Sequence, residues 1–359
     1  MNANYLASAV IPHSRPTFGM EERQAALAAF DSMEIAAGNQ IESFETEMSA
    51  WLHRQYAIAT HCGSSALELA LRMVELRSDD EVIIPSYSCA ALANAVYAAG
   101  GTPVLADICS EDLNLCADTI GSLITRRTRA IIVTHTHGIP ANIPELQRNG
   151  VLLIEDLAQC LGASCHDRPV GSWGDLVVCS FYATKLLNSI DGGMLLTDDP
   201  RWANMARDLR YYGGKFDFKK RFNFKMTNLA ACIGLTQLKK LSHFLSVRRE
   251  LAHRYTECLC RMGVPFCFTD PPHRQRIYYR YCFQVANSTD FIRRMREMGV
   301  ACGRGILQPL HRAMLHSDEQ WPNTSKAADT LVSIPIYPSL EPEEIATILS
   351  ALEYAIHAQ

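Results

Sequence analysis

The chain has 359 residues, a formal net charge of −4, 48% hydrophobic residues and 20% charged residues. This composition is typical of a packed globular protein, and it lacks the excess of positive charge that binding a nucleic-acid backbone would favour. No apolar run approaches the roughly 18 residues of a membrane-spanning helix and no signal-peptide pattern opens the chain, so we expect a cytoplasmic protein.

Short apolar runs rich in Val and Ile alternate with helical patterns over the first two thirds of the chain. In chain order, the predicted elements are a strand at 56–60, a helix at 64–76, a strand at 81–85, a helix at 89–99, and strands at 103–108, 130–134, 151–154, 176–179 and 194–197. Strands that are apolar on both faces and alternate with helices predict an α/β fold with a mainly parallel sheet flanked by helices.

The pattern changes after about Leu245. The remaining predicted elements are a basic amphipathic helix at 248–262, a strand at 278–285, and helices at 291–298 and 341–357. We therefore predict a large domain of residues 1–245, with an N-terminal arm of about residues 1–20, and a smaller C-terminal α/β domain of residues 246–359. The Pro-rich, basic segment 271–276 predicts a solvated turn.

The thirteen cysteines form no recognisable metal or disulfide framework. Their number is odd, no C-x-x-C pair occurs, and Cys258 and Cys260 are too close in sequence for an ordinary zinc pair. We expect reduced thiols that pack as small hydrophobic side chains, and no metal site.

Three predicted strands are followed by residues with chemistry of their own. In an open parallel sheet, ligands bind beyond the carboxyl ends of the strands. Gly63 and Ser64 open a helix and form either a phosphate cradle or an ordinary N-cap. Asp156 follows a buried strand and needs a cation, a ligand or a capping role there. Lys185 follows Ser180 in a polar loop, where a lysine alone is usually solvated. An amine, an acid and an anion site together suggest pyridoxal phosphate (PLP).

Short motifs along the whole chain then carry a family resemblance. They are Ile11-Pro12, Arg15-Pro16, Phe44-Glu45, Cys62 to Leu67, Pro85 to Ser88, Glu155-Asp156 with Gln159, Gly171 to Asp175, Ser180 to Tyr182, Thr184-Lys185, Asp191 to Gly193, Asn223 with Met226, Gln237-Leu238 and Pro309 to His311. In this order they resemble the DegT/StrS family of PLP enzymes. Most of these enzymes are nucleotide-sugar aminotransferases with the aspartate-aminotransferase-like fold.

The resemblance implies roles for individual residues. Lys185 would form a Schiff base with pyridoxal 5'-phosphate and, once displaced by the amino donor, carry the proton. Asp156 would pair with the pyridinium nitrogen, and Gln159 would lie near the phenolic oxygen of the cofactor.

By the same resemblance, Gly63, Ser64 and Ser180 would hold the cofactor phosphate. Asn223 matches a position that reaches the phosphate of the neighbouring subunit, so a homodimer with active sites shared across its interface is expected. Residues near the substrate, each of which is equally well interpreted as a packed or surface residue, would be Tyr87, His137, Tyr182, His311 and Tyr337.

Three positions depart from the family pattern. Cys89 replaces an aromatic residue or histidine that stacks on the pyridine ring, so weaker stacking is expected unless Tyr87 supplies it. Leu186 replaces the asparagine that commonly follows the lysine. Ile190 replaces a glycine before Asp191, a change that would alter the adjacent loop.

The resemblance predicts an aminotransferase that moves an amino group from glutamate or glutamine to a nucleotide-linked keto-sugar. One alternative is the same cofactor acting on a non-sugar ketone such as a cyclitol, or in sugar deoxygenation. Deoxygenating relatives carry histidine at the lysine position, so Lys185 favours transamination. The other alternative is a non-catalytic regulatory homologue, against which the retention of Lys185, Asp156, Ser180 and Asn223 argues.

Overall fold

The structure is a computed structural model that describes residues 10–264 and 272–357. The strands are β1 (Tyr56–Thr60), β2 (Glu81–Pro85), β3 (Thr102–Ala106), β4 (Thr128–Thr134), β5 (Leu152–Asp156), β6 (Ser164–Cys165), β7 (Arg168–Pro169), β8 (Leu176–Ser180), β9 (Gly193–Thr197), β10 (Arg274–Gln275), β11 (Tyr281–Gln284), β12 (Gly303–Arg304) and β13 (Leu331–Ile334). The helices are α1 (Met20–Asp31), α2 (Gln40–Trp51), α3 (Gly63–Met73), α4 (Ala91–Ala99), α5 (Ala117–Gly121), α6 (Ile143–Leu146), α7 (Pro200–Arg210), α8 (Asn228–Arg261), α9 (Ser288–Glu297), α10 (Leu310–Ala313), α11 (Pro322–Thr330) and α12 (Pro342–His357).

A seven-stranded sheet in the order β1-β9-β8-β5-β4-β2-β3 forms the centre of the large part of the chain. The pairings from β8 through to β3 are parallel, whereas β9 runs antiparallel to both of its neighbours. Ile131, Ile132 and Val133 of β4 are fully buried because helices cover both faces of the sheet. The predicted α/β fold with a mainly parallel sheet is therefore confirmed.

The C-terminal part is built on a second sheet, in the order β11-β13-β12. Its core joins residues of β11 and β13 to α9, α12 and the second half of α8. The helix predicted at 248–262 is confirmed as far as Arg261, but it is the second half of one continuous helix, α8, which has 34 residues and begins at Asn228. The helix passes through 245/246, and the division into two domains there stays a prediction.

Part of the expected N-terminal arm lies against this C-terminal unit. The N–H of Ile11 donates to the Gly299 carbonyl at 2.8 Å, and Ile11 accepts from Ala301 at 2.9 Å. The Arg15 guanidinium binds Glu344 at 2.7 Å. None of the helices within the described ranges is both long and apolar enough to cross a bilayer.

Two sequence-based expectations are wrong. Arg274 forms an ion pair with Asp112 and donates to the Pro140 carbonyl at 2.9 Å, and Arg276 is buried. These two basic residues therefore support packing and do not form a solvated turn; Pro271 lies outside the described residues. Cys109 and Cys116 are joined in a disulfide, so not all the cysteines are reduced thiols. Cys267 also lies outside the described residues.

Candidate active site

The register of three neighbouring strands brings polar residues together at one edge of the large sheet. Gly193 at the start of β9 pairs with Thr60 at the end of β1 and with Ser180 at the end of β8. On the next strand, β5 ends at Asp156. Beyond these ends lies a cavity of about 360 Å³, lined by Cys62, Gly63, Ser64, Leu67, Cys89, Ala91, Leu92, Asp156, Ala158, Val178, Ser180, Tyr182, Lys185 and Asp191.

The first turn of α3 approaches the end of β8 very closely. Cys62 caps the helix, and its Sγ accepts from the Ser65 N–H at 3.4 Å. A Cβ added to Gly63 would lie 2.6 Å from the Cβ of Ser180 and 2.9 Å from its Oγ. The first N–H groups of a helix have no acceptor within the helix, and the helix dipole adds partial positive charge there. This end of the cavity is therefore suited to an anion.

The carboxyl group of Asp156 lies half-buried at the lip of the cavity. Its Oδ1 accepts the Ala158 N–H at 2.8 Å. Burial raises the pKa of Asp156 above its ordinary value, although the Ala158 N–H and the nearby Lys185 and His135 oppose that rise. A cation placed against this carboxyl group would favour its ionised form.

The neighbouring Glu155 holds the end of β5 in place through its carboxylate. Its fully buried carboxylate accepts the N–H groups of Gly171 at 2.8 Å, Trp173 at 2.9 Å and Gly174 at 2.5 Å, and lies 3.3 Å from His135 Nε2. Burial alone would raise the pKa of Glu155, but the His135 ring and these N–H donors outweigh it and hold the pKa below its ordinary value. The strand end that carries Asp156 is thus held by buried hydrogen bonds to the Glu155 carboxylate.

Lys185 is held in a turn that follows β8. Its N–H donates to the Tyr182 carbonyl at 2.8 Å, and Leu186 beside it is buried. The Nζ lies 5.1 Å from the centre of the Tyr279 ring. Burial raises the pKa of Tyr279, but the charges of Lys185 and Arg280 and hydrogen bonds with Lys185 and Thr184 outweigh it and leave the pKa lowered. Sequence reasoning missed Tyr279, whose only signal was a run of aromatic residues before β11.

The three departures from the family pattern lie in different surroundings, since Leu186 is buried whereas Cys89 and Ile190 are exposed. Cys89 is exposed and lines the cavity. Ile190 has a φ of 73° and is 54% exposed. A left-handed conformation is one that glycine adopts without strain and a β-branched residue does not. The loop therefore keeps a backbone conformation that suits glycine, at the expense of strain in Ile190.

Two of the candidate substrate residues form a buried pair next to the cavity. Tyr87 and His137 pack edge to face with ring centres 5.7 Å apart. Burial, together with the charge of Arg280 and the nearby His13, lowers the pKa of His137 to about 3. The His137 N–H donates to Gln159 Oε1 at 2.9 Å, which fixes the position of Gln159.

The remaining candidates are dispersed. His311 is fully buried, with Nδ1 2.7 Å from Ser86 Oγ and Nε2 3.0 Å from Asp318. Tyr337 is buried against the Arg15 guanidinium, and burial raises its pKa to about 12. Asn223 is exposed and pairs with Tyr211 outside the cavity. The structure thus brings together in the cavity Gly63, Ser64, Cys89, Asp156, Ser180, Tyr182 and Lys185, whereas Tyr87, Gln159, His137, Asn223, His311 and Tyr337 do not line it.

Comparisons with known proteins agree with this architecture. A curated relative, the dTDP-4-dehydro-2,3,6-trideoxy-D-glucose 4-aminotransferase of Saccharopolyspora spinosa, is 30% identical over 95% of this chain and 96% of its own. The crystal structure of the aminotransferase TlmJ from Streptoalloteichus hindustanus superposes with a TM-score of 0.92 at 29% identity, covering 97% of this chain and 99% of that one. Spr1654 from Streptococcus pneumoniae, solved in its PLP form, has a TM-score of 0.90 at 21% identity over 97% of this chain and 99% of its own, a likeness that shows the fold alone.

A family model matches residues 16–353, which is nearly the whole chain. The match spans the seven-stranded sheet and the C-terminal sheet, and it includes every residue that lines the cavity. The chain is therefore an aminotransferase and belongs to the DegT/DnrJ/EryC1/StrS aminotransferase family.

Proposed function

We propose that the chain binds pyridoxal 5'-phosphate in the cavity at the sheet edge and transfers an amino group to a nucleotide-linked keto-sugar. The observation that carries the proposal is that one cavity combines an amine, a carboxyl group and an anion cradle. Lys185, Asp156 and the turn of Gly63 and Ser64 all line it. The solved PLP form of Spr1654, which shares the fold, supports the choice of cofactor.

The cradle at the start of α3 fits a phosphate. A side chain at Gly63 would fill the space in front of Ser180, so glycine leaves the backbone N–H groups open to an anion. The hydroxyl groups of Ser64 and Ser180 would add two further donors. The phosphate does not need an equal number of positively charged side chains around it, because oriented N–H groups and the helix dipole supply the positive potential.

Asp156 and Lys185 would serve the reacting end of the cofactor. When bound, PLP supplies an electron-withdrawing ring that stabilises negative charge on the substrate carbon. The protonated ring nitrogen would provide the cation that Asp156 needs to stay ionised against the effect of burial. Lys185 would attach to the cofactor and, once its Nζ is freed, move a proton to or from the substrate carbon. Gln159 would face the phenolic oxygen, and Cys89 would offer weaker stacking than an aromatic ring.

The choice of substrate is supported by sequence similarity. The relative from Saccharopolyspora spinosa, named for a dTDP-linked keto-sugar, matches this chain over 95% of its length. We propose a substrate of this class, with glutamate or glutamine as the amino donor. A cyclitol-like ketone is the rival substrate, and the exposed Cys89 leaves that possibility open.

We further propose a cytoplasmic homodimer in which each subunit completes the site of the other. The segment around Asn223 carries large apolar side chains in solvent, with Tyr212 59% exposed and Phe216 and Phe218 fully exposed. Apolar side chains clustered on a surface are typical of an interface. A neighbouring subunit placed there would bury them and bring Asn223 towards its cofactor phosphate.

The test compares Lys185→Ala with Lys326→Ala, whose side chain is exposed on α11. The wild type and Lys326→Ala should develop visible absorbance with PLP, lose it when glutamate or glutamine is added, and regain it with a nucleotide keto-sugar. Lys185→Ala should show neither the absorbance nor the transfer. Recovery with a cyclitol ketone alone would refute the sugar substrate, and failure of every donor would refute the proposed function.

A further inference from the structure

Arg280 is a half-buried cation that has no acidic partner among the described residues. Its guanidinium Nη1 lies 3.1 Å from each of the two ring nitrogens of His13 and 3.4 Å from the Ser333 hydroxyl. Within residues 10–264 and 272–357, no Asp or Glu carboxylate forms an ion pair with it. Its polar contacts are therefore with neutral groups.

Three other enclosed arginines of the chain either pair with a carboxylate or donate to several backbone carbonyls. Arg210 binds Glu45 at 2.6 Å, and Arg221 binds Asp208 at 3.0 Å. Arg248, which is buried, donates to three backbone carbonyls at the junction between α8 and the C-terminal sheet. Arg280 has neither arrangement, so the usual structural reasons for a half-buried arginine do not apply to it.

The side chains around Arg280 do not neutralise its charge. Burial and the Arg280 charge lower the pKa of His13 to about 4, and burial followed by the same charge lowers the pKa of His137 to about 3. Both rings are therefore neutral at neutral pH. The cluster of His13, His137, Ser333 and Arg280 carries one positive charge and no negative one. An unpaired charge in such a place is costly, and an anion that binds there removes the cost.

The cationic groups of Arg280 and Lys185 both lie near the ring of Tyr279. The guanidinium carbon is 5.6 Å from the centre of the Tyr279 ring, and Lys185 Nζ is 5.1 Å from it. Because both distances end at the centre of one ring, the Arg280 guanidinium carbon and Lys185 Nζ are at most about 11 Å apart. Arg280 does not itself line the cavity, so a donor whose amino group approaches Lys185 would have to extend past the Tyr279 ring to present a second group to it.

We propose that Arg280 binds a carboxylate of the amino donor. The inference rests on the proposed function, since it assigns one contact of the donor to the same site. A carboxylate matches the cluster in charge, because one guanidinium faces it and the neighbouring histidines are neutral. A diphosphate would bring at least two negative charges to a single cation. A guanidinium also binds a carboxylate through two parallel hydrogen bonds.

The test uses the PLP-loaded protein and glutarate, a dicarboxylate that has no amino group. Arg280→Gln should weaken glutarate binding by about 10- to 100-fold in calorimetry and raise KM for glutamate in the donor half-reaction by a similar factor. KM for the keto substrate should not change. Arg280→Lys, which keeps the charge but loses the paired geometry, should give an intermediate effect. Arg296→Gln, an exposed residue of α9, should match the wild type in every measurement.

The outcomes separate this inference from the proposed function. If the wild type aminates nothing, the proposed function fails before Arg280 is tested. Unchanged glutarate and glutamate constants in a folded Arg280→Gln variant would overturn the inference alone. A raised KM for the keto substrate instead would assign the guanidinium to a phosphate of the nucleotide. A shift in oligomeric state with unchanged glutarate binding would assign it to a carboxylate of the partner subunit.

Discussion

Gly63 is the position where a single methyl group should damage the cofactor site most clearly. In Gly63→Ala the new Cβ would lie 2.6 Å from Ser180 Cβ and 3.1 Å from its Cα. The Cα belongs to β8 and cannot rotate away, so the helix start and the strand must separate. Overpacking of this kind costs about 1–3 kcal/mol. If that cost falls on the anion cradle, PLP affinity should drop by about 10- to 100-fold, because 1.4 kcal/mol corresponds to a factor of ten.

The matched control is Gly121→Ala at the end of α5, where a Cβ would meet no atom within 4 Å. Alanine in a helix gains up to about 1 kcal/mol over glycine, so this control should be neutral or slightly stabilised. The assay is a titration of each purified protein with PLP, followed by visible absorbance, together with thermal unfolding. Wild-type PLP affinity and an unchanged melting temperature in Gly63→Ala would refute the assignment of the cradle.

Three further changes test the surroundings of the cavity. Glu155→Gln should lower the free energy of unfolding by about 1.5–3 kcal/mol, because a charge-assisted bond is replaced by two facing donors. The pKa of Glu155 is lowered in the folded protein, so its contribution is present above the ordinary carboxyl pKa of about 4.3 and is lost as pH falls through the folded pKa; the variant should show a flatter stability profile in acid. Tyr279→Phe should reduce kcat about tenfold and change KM little, since it removes only the hydroxyl group that contacts Lys185. Ile190→Gly should raise the free energy of unfolding by about 1 kcal/mol, as measured by denaturant titration, because it relieves the left-handed strain.

For each of these three variants, one outcome would contradict the physical reason given for the prediction. A Glu155→Gln variant with wild-type stability at neutral pH would mean that the buried carboxylate does not hold the end of β5. An effect of Tyr279→Phe on KM alone would indicate substrate contact rather than support of the lysine. If Ile190→Gly is destabilising, the exposed side chain must contribute more than its backbone strain removes.

The sequence alone located the strands of the large sheet to within about two residues, with β2 predicted at the residues observed. Buried strands that are apolar on both faces have the strongest pattern, so they are the easiest to find. It also predicted that Lys185 and Asp156 lie near each other at the ends of such strands, and both line the same cavity. The pairing of Gly193 with Thr60 and Ser180 could not be predicted from the sequence, because sheet register depends on contacts between residues that are distant in sequence.

The sequence was weakest where long-range contacts decide the structure. The ion pair of Arg274 with Asp112 joins segments that are 162 residues apart, and no local sequence pattern predicts it. The contact of Tyr279 with Lys185 is of the same kind. For helix α8, the sequence analysis predicted only the second half, from residue 248, whereas the helix begins at Asn228.

The most direct test of the account is to follow the transferred amino nitrogen from the donor to the product. The purified protein with PLP would receive glutamate carrying an isotope-labelled amino nitrogen, together with a panel of nucleotide keto-sugars, and the products would be analysed by mass spectrometry. We expect the label in an amino-sugar nucleotide with the wild type and no labelled sugar with Lys185→Ala. Label that never reaches a sugar, or that reaches it equally with Lys185→Ala, would contradict the account.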